Sequence, residues 1–176
     1  MYSRDVIEFS EFYAPGLVVA SQAAAHRLML AGEPDLVINT TNTALKPGVA
    51  SCAYLHVPLE DSDRADLLGA FAHVRGEVRE AFRLQQSVVV YCKLGRNRSL
   101  AMALLVLMAE LGVQLGDALR AAREQRDIKL LTNEHFQRVL TAEERRVFRR
   151  ADNSAKELCG AQGGSKRLRR RLRASQ

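Results

Sequence analysis

Cys92 follows three valines and a tyrosine, and within the next six positions stand Lys93, Arg96 and Arg98, with Ser99 immediately after. The valine run has the make-up of a strand covered on both faces, and past Gly95 a second apolar stretch begins at Leu100 with the length of a buried helix. A strand-to-helix turn lets backbone amides converge, and the helix N-terminus adds about half a positive charge, so an anion is expected to bind there. The same field, joined by three cations, favours the thiolate of Cys92 over its thiol. A thiolate in an anion-binding cup is a nucleophile aimed at whatever anion is bound.

Cys92 and Arg98 are separated by five residues, and "YCKLGRNRS" resembles the phosphate-binding loop of the protein tyrosine phosphatase superfamily, in particular that of the small atypical dual-specificity phosphatases. The likeness continues along the chain. "GLVVASQAAAHRLMLAGEPDLVINTTN" is similar to the family's first strands and helix, "HVPLEDS" to its acid loop and "LLTNEHFQRVL" to its closing Asn-x-x-Phe helix, so roughly residues 10–148 are covered. Four such segments in the family's order are far more specific than one cysteine and one arginine.

The resemblance implies an α/β, protein tyrosine phosphatase-like three-layer fold, a central mostly parallel sheet flanked by helices. It also implies hydrolysis of phosphotyrosine, and of phosphoserine and phosphothreonine, through a phosphocysteine, with no metal and no cofactor. Carried over, Cys92 is the nucleophile, Arg98 the bidentate phosphoryl ligand, Ser99 the donor that helps the thiolate leave, and Asp61 the general acid and then base. Asp61 lies 31 residues before the cysteine, where "VPLED" matches the acid loop. The amides of Lys93, Leu94, Gly95, Arg96, Asn97 and Arg98 are the remaining phosphate ligands, and Asn133 braces the loop from outside.

One position departs from the family. Its loop begins His-Cys, whereas here Tyr91 precedes the cysteine, and a phenol with an ordinary pKa of about 10 cannot supply the charge or geometry of an imidazole. A slow enzyme is therefore expected, and Tyr91→His is expected to raise turnover and lower the pKa of Cys92. Two other readings stand beside this one. Tyr91 favours a phosphate-binding module without turnover, while Lys93 and Arg96 resemble the basic loops of phosphatases acting on phosphoinositides or other phospholipids.

The neighbouring candidates have structural explanations. Asp63 is placed to cap the helix that follows, and Glu60 and Asp66 lack the family spacing. Cys52, beside "AYLHVP", reads as a packed core thiol, with a redox partnership to Cys92 as the weaker alternative. His56 sits in an alternating strand, and His26, His73 and His135 show no ligand spacing with cysteine, so no metal is expected.

The elements that must position these residues follow from the pattern. "GLVVAS", "DLVINT", "AYLHVP" and "SVVVY" read as strands. Leu67, Phe71, Val74, Val78 and Phe82 recur at helical spacing between them, and strands alternating with helices indicate a largely parallel sheet. Helices from Leu100 to Gly112, over "VQLGDALRAAREQR", and from an N-cap at Thr132 or Asn133 close a single domain, residues 1–150.

Three cysteines, an odd number, and an opening that carries acids where a signal peptide needs an apolar core indicate a reduced, intracellular protein, cytoplasmic or also nuclear. The net charge of +6 is matched by six cations between Lys166 and Arg173, which leaves residues 1–165 formally neutral. Residues 151–176, with Cys159 and the basic run "KRLRRRLR", read as a linker and a disordered tail. That tail suits a localisation signal or contact with anionic lipid or nucleic acid, and Leu168 and Leu172 would share one side of a helix formed on a membrane. The expected partner is a phosphorylated protein substrate, with no obligatory partner evident.

Overall fold

The four runs read as strands form the parallel part of one sheet in the computed structural model, which describes residues 5–13, 15–45 and 52–149. Its elements in chain order are β1 Val6–Glu8, β2 Leu17–Ser21, α1 Gln22–Ala31, β3 Leu36–Asn39, β4 Ala53–His56, α2 Leu67–Arg83, β5 Val88–Cys92, α3 Arg98–Leu111 and α4 Leu115–Gln125. A further helix, α5, covers 134–149. The strand order is β1-β2-β5-β3-β4, with β1 antiparallel to β2 and every other pairing parallel. Strand β1 was not legible in the sequence: three residues ending in Glu8 carry too short a pattern, and pairing with β2 makes the strand.

Register brings the chemistry to one edge. Cys92 lies opposite Ser21, and Tyr91 lies between Ala20 and Asn39, so the C-terminal ends of β2, β5 and β3 are level. In open α/β sheets this end, where β5 hands over to α3, is where ligands bind.

Side chains alternate across β5. Val88 and Val90 enter a large core with α2 and α3, while Val89 and Tyr91 enter a smaller cluster under α1, with Ala24, Ala25 and Met29. Cys92 and Tyr91 therefore project to opposite faces. Helix α3 is buried from Ser99 to Met108 without interruption, which explains its unbroken apolar sequence, and Gly112 ends it in the left-handed conformation at φ 67°.

Two expectations are corrected here. Helix α2 is capped by Asp66, whose Oδ1 accepts from Gly69 N at 2.8 Å, and not by Asp63: the chain enters the helix only at Leu67. Cys52 is half-buried and packs against the smaller cluster instead of lying in the core. It also sits just before Ala53, whose register through Leu36 to Val88 puts it at the opposite end of the strands from Cys92. Four residues of strand span about 13 Å, so the two sulfurs cannot form a disulfide.

Candidate active site

From Cys92 the chain turns back over the strand end and enters α3 at Arg98. The turn depends on Gly95, which has φ +65°, and whose absent Cβ would lie 2.8 Å from the carbonyl carbon of Ala20 and 2.9 Å from Ser21 N. No side chain fits there. The packing folds the loop around the sulfur: Gly95 N and Ser99 Oγ each donate to Cys92 Sγ at 3.2 Å. Cys92 is 3% exposed. Burial alone pushes its thiol up, but the Ser99 hydroxyl and the amides of Ser99, Leu94 and Arg96 outweigh it, and the thiol lies below its ordinary value.

Arg98 extends across the cup to the β3 and acid-loop backbone. Its Nη1 donates to Leu59 O at 3.3 Å and, at the long limit of 3.5 Å, to Thr40 O. Its Nε is buried with no hydrogen-bond partner among the described residues. Thr40 in turn fixes the strand end, giving both its amide and its hydroxyl to Tyr91 O at 2.9 and 2.8 Å.

Asp61 is held at the rim. Oδ2 accepts from Asn97 Nδ2 at 3.0 Å and Oδ1 from Asn133 Nδ2 at 2.8 Å. Asn133 also caps α5, its Oδ1 accepting from Phe136 N at 3.2 Å. Asp61, Cys92, Lys93, Leu94, Arg96, Asn97, Arg98 and Thr132 together line a cavity of about 280 Å³. A larger hollow of about 680 Å³ between β4, the acid loop and α2 contains neither Cys92 nor Arg98, so the smaller one is where a thiolate can meet an anion.

The dual specificity phosphatase catalytic-domain model matches residues 18–146. The chain belongs to this family. Human Dual specificity phosphatase 28 is 31% identical over 118 residues, 65% of this chain and 66% of that protein, so the chain spans just under two thirds of that relative's length. A crystal structure of human DUSP28 superposes with a TM-score of 0.65 at 26% identity, covering 76% of this chain and 91% of that one. A mouse dual specificity phosphatase crystallised with zinc tungstate gives 0.67 at 27% identity, covering 77% and 86%. The fold of five strands flanked by helices is that of the protein tyrosine phosphatases.

The structure brings the loop from Cys92 to Ser99, Asp61 and Asn133 to one place. Asn133 lies outside the cup and braces the acid loop, its amide holding the carboxylate of Asp61. Tyr91 stands apart from the cup. Its ring is fully buried under α1, edge-on to His26 at 6.1 Å between centroids, and burial followed by the neighbouring Tyr54 phenol pushes its hydroxyl far above the ordinary range. The hydroxyl closes no hydrogen bond within 3.5 Å among the described residues. Of the rivals to Asp61, Glu60 faces the larger hollow and Asp66 is spent on α2.

Sequence reasoning gave residues 126–129 no part in the site and gave Leu131 no contact with the loop, yet this stretch straps the phosphate loop. Arg126 donates from Nη1 to Gly95 O at 2.9 Å and from Nη2 to Leu94 O at 3.5 Å. Leu131 N reaches Arg96 O at 2.9 Å, and Arg96 Nε reaches Lys129 O at 3.1 Å. Leu131 does so at φ 52°, a left-handed conformation uncommon for a branched residue, which the surrounding hydrogen bonds must hold in place. Arg126 is 7% exposed. Burial lowers its pKa, with Asp5 and Cys92 opposing and Arg96 adding to that shift. No spacing in the sequence marks Arg126.

Proposed function

We propose that this phosphatase domain dephosphorylates proteins at phosphotyrosine, and also at phosphoserine and phosphothreonine, through a phosphocysteine on Cys92. One observation carries the reading: Cys92 Sγ accepts from Gly95 N and Ser99 Oγ in a cup that also holds the buried, unpartnered Nε of Arg98. The likeness to a mouse phosphatase crystallised with zinc tungstate supports it, since tungstate is a tetrahedral oxyanion of phosphate shape.

The reaction runs in two displacements. In the first, the Cys92 thiolate attacks phosphorus, the bond to the leaving oxygen breaks, and protonated Asp61 gives that oxygen its proton. Arg98 holds two phosphoryl oxygens through Nε and one terminal nitrogen, and the loop amides hold the charge that gathers on the transferring group. In the second, a water attacks phosphorus and gives its proton to the Asp61 carboxylate. The P–S bond breaks, inorganic phosphate leaves, and Ser99 stabilises the returning thiolate. Orientation and the preformed cup supply most of the acceleration, and Asp61 adds about 10²–10⁴-fold.

Lys93 and Leu94 are exposed at the mouth, whereas Arg96 is tethered to Lys129 O through Nε. With Arg96 held in place by that bond and only Lys93 of the two extra cations free to reach outward, a phosphoprotein is favoured over a phosphoinositide. The basic tail lies outside the described residues, as do Cys159 and the 150/151 boundary. Its contact with anionic lipid or nucleic acid, and a cytoplasmic or nuclear location, belong to this proposal and are tested by imaging the full chain beside one lacking 166–173.

The test of activity is steady-state hydrolysis by the wild-type chain and Cys92→Ser of an aryl phosphate, phosphopeptides of each kind, and vesicles containing phosphoinositides. Turnover of phosphopeptides, lost with the sulfur, is the expected result. Preference for the vesicles would overturn the protein substrate. Oxyanion binding without any turnover would make the domain a phosphate-reading module, the reading Tyr91 favours.

A further inference from the structure

Asn97 occupies the residue before α3, where an asparagine side chain ordinarily accepts a hydrogen bond from the second or third amide of the helix. It makes no such bond. Its Nδ2 instead donates to Asp61 Oδ2 at 3.0 Å, and its Oδ1 accepts from Thr132 N at 2.7 Å and Thr132 Oγ1 at 3.2 Å. We propose that the Asn97 side chain is a positioning residue that fixes the Asp61 carboxylate over the phosphate cup, through a bridge from the phosphate loop to both the acid loop and the start of α5.

Two consequences support this assignment. First, a capping Asn97 would put its carbonyl oxygen among the amides at the start of α3, where the phosphoryl oxygens must sit. Turned outward, it leaves those donors and the helix N-terminus to the anion. Second, the amide has one orientation that satisfies all three neighbours: its nitrogen toward a carboxylate and its oxygen toward two donors. A flipped amide would set oxygen against oxygen at Asp61 and nitrogen against nitrogen at Thr132. The other Asp61 oxygen is taken by Asn133 Nδ2 at 2.8 Å, so the carboxylate is held from both ends before any substrate arrives. Asn97 thus couples the placement of the acid to the closure of the phosphate loop, from a position whose backbone amide belongs to the cup itself.

This inference rests on Asp61 being the general acid and base, and the experiment separates the two. Turnover of a phosphopeptide and of an aryl phosphate with an activated leaving group is compared across wild type, Asp61→Asn, Asn97→Ala, Asn97→Asp and the double variant Asp61→Asn/Asn97→Ala. Tungstate inhibition and thermal melting are followed in each. A substrate with a poor leaving group needs the proton, so misplacing Asp61 should cost it at least about tenfold more than it costs the aryl phosphate. Asn97→Asp is nearly isosteric and keeps the acceptor for Thr132, but it sets a second carboxylate against Asp61. It should show the same selective loss even if Asn97→Ala fails to fold.

The double variant should be no worse than Asp61→Asn alone, since both act on one step. Equal losses on both substrates in the Asn97 variants, together with weaker tungstate inhibition, would mean that Asn97 only supports the loop. Full activity of Asn97→Asp on the phosphopeptide, or additive losses in the double variant, would also overturn the proposal. If Asp61→Asn itself shows no preference between leaving groups, the acid assignment falls and this inference falls with it. If only the Asn97 variants lack the preference, the acid assignment stands alone.

Discussion

The Nη1 of Arg126 donates to the carbonyl of Gly95 at 2.9 Å, tying the end of α4 to the most tightly turned residue of the phosphate loop. The arginine is buried, so its charge and its forked geometry both act on the loop backbone. A lysine in its place keeps the charge but can reach only one of the two carbonyls. Arg126→Lys should lower stability by about 1–3 kcal/mol, the usual worth of hydrogen bonds to a charged group. It should also weaken tungstate inhibition, because the loop amides lose their alignment. Denaturant unfolding beside tungstate titration checks this, and unchanged tungstate affinity would limit Arg126 to a packing role.

Ser99 Oγ sits 3.2 Å from Cys92 Sγ and is among the groups that bring the thiol below its ordinary value. The pH midpoint of Cys92 alkylation should therefore lie below that of a free cysteine, about 8.5, and Ser99→Ala should move it upward. Because the folded pKa is depressed, the thiolate adds stability that is complete above the unfolded pKa and is lost as pH falls through the folded one. Relative to Cys92→Ser, the wild type should gain stability from mildly acidic to alkaline pH. A difference in unfolding free energy that stays flat over that range would contradict the depressed thiol.

The sequence reading succeeded where one segment carries a whole requirement. Val88–Val90 and Leu36–Ile38 are buried at every position, which accounts for their unbroken apolar and mostly β-branched make-up, and the α3 run is apolar on every side because Ser99–Met108 is buried without interruption. The candidate cup was equally legible, since Cys92, Gly95, Arg98 and Ser99 fall within one turn of eight residues. What stayed hidden depends on side-chain direction across long separations. Asn97 and Asp61 lie 36 residues apart, and Arg126 is 31 from Gly95, with no periodicity joining them. Likewise the choice between Asp63 and Asp66 as helix cap turned on where the acid loop stops, a boundary set by packing of Ala65 and Leu67 into the core.

Gly95 offers a steric prediction. Alanine there brings both a left-handed φ and a methyl group 2.8 Å from the Ala20 backbone, and neither contact is with a flexible side chain. Gly95→Ala should cost about 1–3 kcal/mol from backbone strain alone, and more as the β2 end is pushed away. Since the Gly95 amide also donates to Cys92 Sγ, turnover should drop at least as sharply as stability. Thermal melting together with aryl phosphate hydrolysis would show it, and a variant that melts and turns over like the wild type would exclude this close approach.

Tyr91 sets activity against stability. Its ring is fully buried in the cluster under α1, and its hydroxyl is carried out toward Tyr54, away from the Cys92 side of the strand. An imidazole at this position would hold its ring nitrogens closer to the loop backbone than the phenol holds its oxygen, and when protonated it would add a positive charge behind the cup. Tyr91→His should accordingly raise turnover and lower the alkylation midpoint of Cys92. The smaller, polar ring would also leave part of a fully buried site empty, which should destabilise the fold by about 1–3 kcal/mol. Tyr91→Phe removes only the hydroxyl and should leave the Cys92 midpoint where it is, because that oxygen does not touch the sulfur. Were the phenylalanine variant to shift the midpoint as far as the histidine variant, the effect would come from losing the phenol, and the imidazole argument would fail.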